Sequence, residues 1–557
     1  MVKKLVYIFL LAFAIKGNAQ QTALLDEIKL SDYYRDKQLI GKIEDSELIK
    51  NNSFLVRSTS LFQNLSNKKS NNNNKVYLSS FQFSNNFQNN NNLPVSYNDG
   101  NLLPARGFQE RYSIGANIRW KFIDLNIQPE YIRGENLQQE VFKGNQLDNN
   151  WWTRYFYSIE NNIDDYRQFG RTPINKFYLG QSRLGIQLEK FSFGISNENI
   201  WWGPGQRNTL MFTNNASGFM HAYFQTNKPI KTKIGNFEFN AIYGQLENID
   251  YMHPDDSIMS TIWPGAIEKK IASPRNVQAI TINWNPKWMQ NFYIGYSFVQ
   301  QSYNADSVFN LSKMTADQNL MKMGSLMFRY IMPRDHAEFY AEIGQPNQSA
   351  TPGHFFTDSV RTGFIFGASK LFLFNKSNSY IKLAIEVTQL QLMDPRQIFI
   401  PGAPFGPPRV TSWYSSSSIR QGYTNEGQNL GASIGPGSNS QAISLSWHKG
   451  YNKIGLFVER LVHNSDFYHY AYLTGLLGYS RADAYWVDLN GGAEIQVSPI
   501  KNIIISSSCM NTHSMNYRWL KNVSDISVDK FAKPGIDSDK FNFQFNIAIK
   551  YIFNGTR

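Results

Sequence analysis

The last stretch of the chain, Phe541 to Phe553, reads FNFQFNIAIKYIF and restricts the fold more than any other. Phe541, Phe543, Phe545, Ile547, Ile549, Tyr551 and Phe553 fall on one side of a period-two pattern; Asn542, Gln544, Asn546, Ala548 and Lys550 fall on the other. A helix cannot gather residues at that spacing, whereas a strand sends successive side chains to opposite faces. So long an apolar face exceeds what a soluble strand of about five or six residues offers. It matches the roughly nine to eleven residues that a tilted strand needs to cross a bilayer. This is the pattern of a transmembrane β-barrel strand, with lipid on one side and water or polar packing on the other.

The opposite end gives the address. Met1 to Ala19 carries Lys3 and Lys4, an apolar run from Leu5 to Ile15 and the small-residue site Gly17-Asn18-Ala19. This reads as a secretory signal peptide, with the mature chain starting near Gln20. No other stretch approaches the roughly eighteen continuous apolar residues of a spanning helix, so membrane residence would be through strands. Aromatic residues make up 15% of the chain, and the single cysteine, Cys509, excludes an internal disulfide and leaves little raw material for thiol or metal chemistry. No cofactor and no metal are expected. Loss of Lys3, Lys4 and Lys16 with the signal lowers the net charge from +12 to +9. That excess suits an anionic partner such as lipopolysaccharide or an acidic glycan, and equally an ordinary solvated surface. No phosphate-cradling motif occurs, so nucleic acid is not an expected partner.

Taken in order, the segments Leu24 to Tyr34 and Leu39 to Phe54 carry apolar residues at helical spacing, which predicts two short amphipathic helices. The Asn-rich stretch Asn64 to Asn74 reads as a flexible linker. Three regions result: a signal at 1–19, a periplasmic helical segment and linker at 20–74, and a barrel at 75–557. Within the last, Tyr112 to Phe122 and Leu125 to Tyr131 both alternate, with a break at Ile123-Asp124 that predicts a tight hairpin turn. Leu184, Ile186 and Leu188, then Phe191, Phe193 and Ile195, continue the pattern on either side of Lys190. Further short connections lie at 228–235, 285–291, 333–336, 374–379, 449–452 and 499–501. Long ones lie near 88–106, 134–179, 200–218, 247–275, 302–320, 345–361, 392–440, 463–482 and 514–539. Tight turns alternating with long loops are the habit of outer-membrane barrels. Counting between them predicts about eighteen antiparallel strands, both termini periplasmic and the long loops extracellular. A soluble β-sandwich or propeller would have no use for a row of lipid-sized side chains on one face.

Two loop segments are unusual. One is Asn199-Ile200-Trp201-Trp202-Gly203-Pro204-Gly205, running on through Asn214-Asn215-Ala216-Ser217-Gly218-Phe219; the other is Gly-rich, from Gly422 to Gly437. At these residues the chain resembles the Wzi family of capsule assembly proteins in its Bacteroidetes-type form. The resemblance rests on FYLGQSRLGIQL (177–188), the WWGPG and NNASGF segments, KPIKTKIGNFEF (228–239), DHAEFYAEIG (335–344) and GYTNEGQNLGASIGPG (422–437). These cover the barrel from about 177 to 450. The resemblance implies an outer-membrane barrel of eighteen strands, closed at its base by periplasmic helices and acting as a surface lectin for capsular polysaccharide. The Asn-rich N-terminal region and the outer loops depart from the family, so the identity of the glycan is not carried over.

Binding a glycan takes aromatic rings to cover the C–H faces of sugars, with amides, carboxylates and arginines to bond hydroxyls or acidic groups. The outer loops offer Trp151, Trp152, Arg154 and Tyr155; Trp201, Trp202, Gln206, Arg207 and Asn208; and Arg409, Trp413, Tyr414, Arg420 and Tyr423. The Gly-Pro-Gly reversal beside Trp201 and Trp202 also gives that pair a packing role over the barrel mouth. An enzyme is not expected: His448 and Ser446 alternate inward, where a lipid-facing hydrolase would not place them, and the inward Glu338 and Glu342 read as lumen partners of Arg329. The expected partners are capsular or exopolysaccharide and outer-membrane lipid or lipopolysaccharide, with the protein a monomer. A porin or polysaccharide-export channel is the alternative, because eighteen strands can enclose a channel and the inward faces are polar.

Overall fold

The computed structural model describes residues 27–41, 77–139, 155–165, 169–249, 261, 265, 267–303, 320–346, 361–374, 379–392, 411–472, 485–500, 502–519 and 539–554. The signal segment, the Asn-rich linker and most of the second expected helix lie outside these residues.

Eighteen antiparallel strands close into a barrel. In chain order they are β1 (Tyr77–Asn90), β2 (Gly107–Trp120), β3 in two pieces (Ile123–Ile127 and Glu130–Gly134), and β4 in two pieces (Ile174–Tyr178 and Arg183–Gln187). They continue with β5 (Phe191–Ser196), β6 in two pieces (His221–Thr226 and Ile230–Thr232), β7 (Gly235–Leu246), β8 (Arg275–Pro286) and β9 (Phe292–Tyr303). Next come β10 (Met321–Met332), β11 (Ala337–Pro346), β12 (Gly363–Phe374), β13 (Ser379–Gln389) and β14 (Asn439–Lys449). The last four are β15 (Asn452–Val462), β16 (Val487–Ile500), β17 (Ile503–Met515) and β18 (Lys540–Asn554). β18 closes the ring against β1, from Ser80 opposite Asn554 to Asn90 opposite Gln544. Closure removes the unpaired edges that a bilayer does not tolerate.

The alternation seen in the sequence is the alternation of environment. On β2, Ser113, Gly115 and Asn117 are buried inward while Ile114 and Trp120 are exposed outward. On β18, Asn542 is buried and Phe541, Phe543, Ile547 and Ile549 are exposed. Leu184, Leu188, Phe193 and Ile195 point outward as expected. At the end with the short turns, Trp284 stacks on Phe237 at 6.0 Å and meets Trp288 at 5.5 Å, an aromatic girdle of the kind that sits at a membrane interface.

Two expectations need correction. The first hairpin turns at Lys121-Phe122, not at Ile123-Asp124, because Ile123 and Asp124 pair with Trp120 and Arg119, and Lys121 takes a φ of 52°. Asp124 faces inward, 3.2 Å from Arg183, which fixes that register. Near the N-terminus, the described helix α1 (Glu27–Leu39) runs through the break at 35–38 expected between two helices, the second of which lies mostly outside the described residues. Its inner side is Arg35, Asp36, Gln38 and Leu39, more polar than apolar, and it enters the barrel mouth rather than lying beneath it. Buried carboxylates and cations on the wall select that polar face.

The outward face makes a direct prediction. Leu456, mid-strand on β15 and exposed, should tolerate no charge if lipid covers it. Leu456→Arg should cost about 2–4 kcal/mol in denaturant unfolding from lipid vesicles, whereas Leu456→Phe should be close to neutral.

Candidate functional site

The lumen is filled from the long-loop end by two segments, 197–220 between β5 and β6 and 411–438 between β13 and β14. They are knitted to one another: Thr213 donates from its backbone N–H to the Leu430 carbonyl at 2.8 Å, and Asn215 Nδ2 donates to the Asn429 carbonyl at 3.0 Å. Tyr414 joins them, donating its hydroxyl to the Leu210 carbonyl at 2.9 Å while accepting from Ala432 N–H at 2.9 Å. Trp202, Leu210, Phe212, Trp413, Tyr414 and Tyr423 form one apolar cluster with the inward side chains Tyr223, Ile242, Val277, Val299 and Ile365 of the wall. The wall makes room where it carries glycine. A Cβ at Gly363 would stand 2.7 Å from the Trp413 ring, and one at Gly344 would stand 2.7 Å from Leu210.

Inward carboxylates seat this plug. Glu386 receives three successive backbone N–H groups, from Gln206 at 2.7 Å, Arg207 at 3.1 Å and Asn208 at 2.8 Å, and the Tyr340 hydroxyl at 2.8 Å. The tight reversal at Gly203-Pro204-Gly205 turns those three amides to one side; a Cβ at Gly205 would strike the Asn208 carbonyl. Glu338, fully buried, is held by Arg329 Nε at 2.8 Å, Arg35 Nε of α1 at 2.7 Å and the Ser369 hydroxyl at 3.0 Å. Arg35 also donates Nη1 to the Pro204 carbonyl at 2.7 Å, so α1 touches the plug itself. Asp36 accepts from Lys382 at 2.7 Å and from the Tyr380 hydroxyl at 2.9 Å. The expected pairing of Glu338 with Arg329 is present, while Glu342 accepts the Leu210 N–H at 3.1 Å.

The residues singled out from the sequence are distributed as follows. Trp151, Trp152, Arg154 and Arg409 lie outside the described residues. Trp201, Trp202, Trp413, Tyr414 and Tyr423 are buried, the last four inside the plug cluster, so their rings pack the lumen rather than face solvent. Arg207 is a packing cation: it pairs with Glu459 at 3.2 Å and lies over the rings of Tyr97 and Phe457. Burial pulls its pKa down, but Glu459 and Tyr97 outweigh burial and hold it above the ordinary guanidinium value. Arg420 is half-buried and pairs with Glu268.

An aromatic surface of which sequence reading named only Tyr155 surrounds α2 (Ser465–Tyr472), also at the long-loop end. Asn464 caps this helix, accepting the Phe467 N–H at 3.0 Å. Phe467, Tyr468 and Tyr470 pack on Phe156, Trp486, Tyr517 and Trp519, and Tyr155 and Tyr485 lie half-buried at the margin. Tyr155 meets Phe467 edge-on at 5.6 Å and carries the Arg518 guanidinium at 5.8 Å from its ring. Tyr485 lies 4.1 Å from Tyr468, and its hydroxyl is 3.5 Å from His469 Nε2. Arg518 and Trp519 both take positive φ, 54° and 52°, a sharp reversal that returns their side chains to the cluster. Half-buried rings beside a guanidinium, an imidazole and the amide of Gln391 are the pieces that sugar recognition uses. The signal in the sequence is the aromatic run FYHYAY at 467–472, inside the long connection 463–482.

The model of the family described as capsule assembly protein Wzi matches residues 67–467. No curated protein matches the chain. Among solved structures the chain is similar to Wzi of Escherichia coli, an outer membrane protein involved in group 1 capsule assembly and described as a carbohydrate-binding β-barrel. That likeness has a TM-score of 0.56 at 10% identity, over 96% of this chain and 95% of that one. Acinetobacter baumannii OccAB2 matches at a TM-score of 0.39 and 9% identity, over 85% of this chain and 97% of that one. Pseudomonas aeruginosa OccK5 matches at 0.38 and 8%, over 87% and 99%.

Two outcomes follow from the buried charges. Arg35→Ala should destabilise the folded barrel by about 3 kcal/mol, since it strips one of two cations from a buried carboxylate; the urea midpoint of the refolded protein measures it. Asp466, buried in the first turn of α2, has its pKa pushed up to about 6 by burial, against hydrogen bonds from Ser412 and Leu392. The folded state therefore holds this proton more tightly than the unfolded chain. The group favours folding fully below about pH 4 and loses that contribution as the pH rises through about 6, at most about 3 kcal/mol. Thermal unfolding across that range should show the decline, and Asp466→Asn should flatten it.

Proposed function

Because this chain belongs to the Wzi family of capsule assembly proteins, we propose that it is a non-enzymatic outer-membrane lectin that holds capsular or other surface polysaccharide on the cell. In this reading the short turns and both termini are periplasmic, the long loops are extracellular, and lipopolysaccharide is the lateral neighbour of the outward face. The observation that carries the reading is the gathering of Tyr155, Tyr485, His469 and Arg518 around α2 on the long-loop side. Half-exposed rings there offer flat apolar faces to sugar C–H groups, and the flanking polar groups offer hydrogen bonds to hydroxyls or acidic substituents. The packed plug supports holding a polymer rather than passing one, since Trp202, Trp413 and Tyr414 occupy space that a conduit would leave to its cargo.

The test is the partition of polysaccharide between cells and medium in a strain lacking the protein, against its parent. Total polymer should be unchanged while the cell-bound share moves into the medium. Tyr155→Ala combined with Tyr485→Ala should reproduce the loss, because two rings worth about 0.5–1.5 kcal/mol each amount to roughly a five- to hundredfold weaker hold. A fall of polymer in both fractions would instead favour the export channel, and no change would overturn the reading.

A further inference from the structure

The plug fills only one side of the lumen. Against the opposite wall, formed by β1 to β4 and β14 to β18, lies a cavity of about 470 Å³, within the range of roughly 300–1,000 Å³ that small-ligand sites occupy. Gly450, exposed on the turn between β14 and β15, is among its lining residues, so the cavity reaches the surface at the short-turn end, beside α1. From there it extends up to Tyr97, Asn98 and Asn214 beneath the long loops. The lectin face around α2 takes no part in it, and the plug lends it only polar side chains, Glu198, Asn199, Gln206 and Asn214.

Its chemistry is specific in two ways. More than half of the lining side chains end in an amide or a hydroxyl, among them Gln82, Asn126, Gln128, Gln496, Ser508 and Asn546. An amide presents a donor and an acceptor side by side in one plane, which suits neighbouring hydroxyls on a sugar ring. The cations on the lining are, in the main, already matched within the protein. Lys453 pairs with Glu494 at 2.5 Å, Lys382 with Asp36 at 2.7 Å, Arg183 with Glu198 at 3.1 Å and Arg111 with Glu130 at 4.0 Å. An acidic ligand would have to break those pairs, whereas an uncharged polyhydroxylated one would not. At the mouth, Tyr33 of α1 and Tyr451 lie with ring centroids 4.7 Å apart and supply the apolar faces that a pyranose needs.

We propose that this cavity is a second carbohydrate site, entered from the short-turn end and selective for an uncharged oligosaccharide segment. The proposal deepens the lectin reading and rests on it for the class of ligand, but it uses different residues and opens at the opposite end of the barrel. Ser508 on β17 and Ala548 on β18 face the cavity, so Ser508→Trp and Ala548→Tyr each fill it from the wall without altering a residue of α2 or the plug. The detergent-solubilised full chain is titrated calorimetrically with maltoheptaose and with a heptameric galacturonate, an uncharged and an acidic probe of equal length. Maltoheptaose should bind more tightly than the galacturonate. Each filling variant that keeps the heat-modifiable mobility of a folded barrel should weaken maltoheptaose binding at least tenfold, and intact cells carrying it should retain surface polymer as the parent does. Absence of maltoheptaose binding at millimolar concentration, tighter binding of the acidic probe, or filling variants that bind unchanged would overturn the proposal. None of those results would touch the lectin reading, which fails only if the Tyr155 and Tyr485 variants leave surface polymer in place.

Discussion

One buried carboxylate ties this barrel together. Glu338 has no contact with solvent, and an isolated charge there would cost several kcal/mol, so the fold must bring it partners. It takes them from three places: Arg329 on the next strand, Arg35 on α1 and the amide of Gln206 in the plug at 3.3 Å. Arg35 in turn reaches the Pro204 carbonyl. The wall, the helix from one end and the loop from the other are thus satisfied by one group of atoms. Their positions are mutually dependent, because removing any one leaves charge or donors stranded in a place water does not reach.

The same logic explains why the lumen is packed on one side and open on the other. Where the wall carries Gly344 and Gly363, and apolar inward residues from β6 to β12, aromatic rings of the plug can approach closely and exclude water. Where it carries amides and hydroxyls, from β1 to β4 and β14 to β18, packing rings against it would bury polar groups without partners. The plug therefore leans to one wall.

The barrel was legible because its signal is local. Alternation needs only neighbouring residues, and the period of two survives whatever the strands later pair with; the eight tight connections were visible for the same reason. The helix α1 was placed with the wrong ends because its buried side is polar, and no rule about apolar stripes finds Arg35 and Asp36 as inward residues when their partners lie some 300 positions away. The tryptophans and tyrosines of the two Gly-rich loops stand out in the sequence, but their role does not. Composition cannot tell a ring that stacks on a sugar from one that stacks on its own chain. Phe212 lies 5.8 Å from Tyr423, a contact between the two segments that only the closed barrel brings together.

By itself the sequence determined that about eighteen strands run antiparallel, which side chains face out and which end carries the long loops, since each follows from periodicity and spacing along a few residues. It also determined family, through motifs that lie mostly in the wall and the plug. The tertiary structure alone decided what fills the lumen, which aromatic rings remain half-exposed around α2 and where a polar cavity is left. Those outcomes depend on burial and on charge pairs between residues hundreds of positions apart, and the free energy of a buried charge or ring is set by what surrounds it in space rather than by what precedes it in the chain.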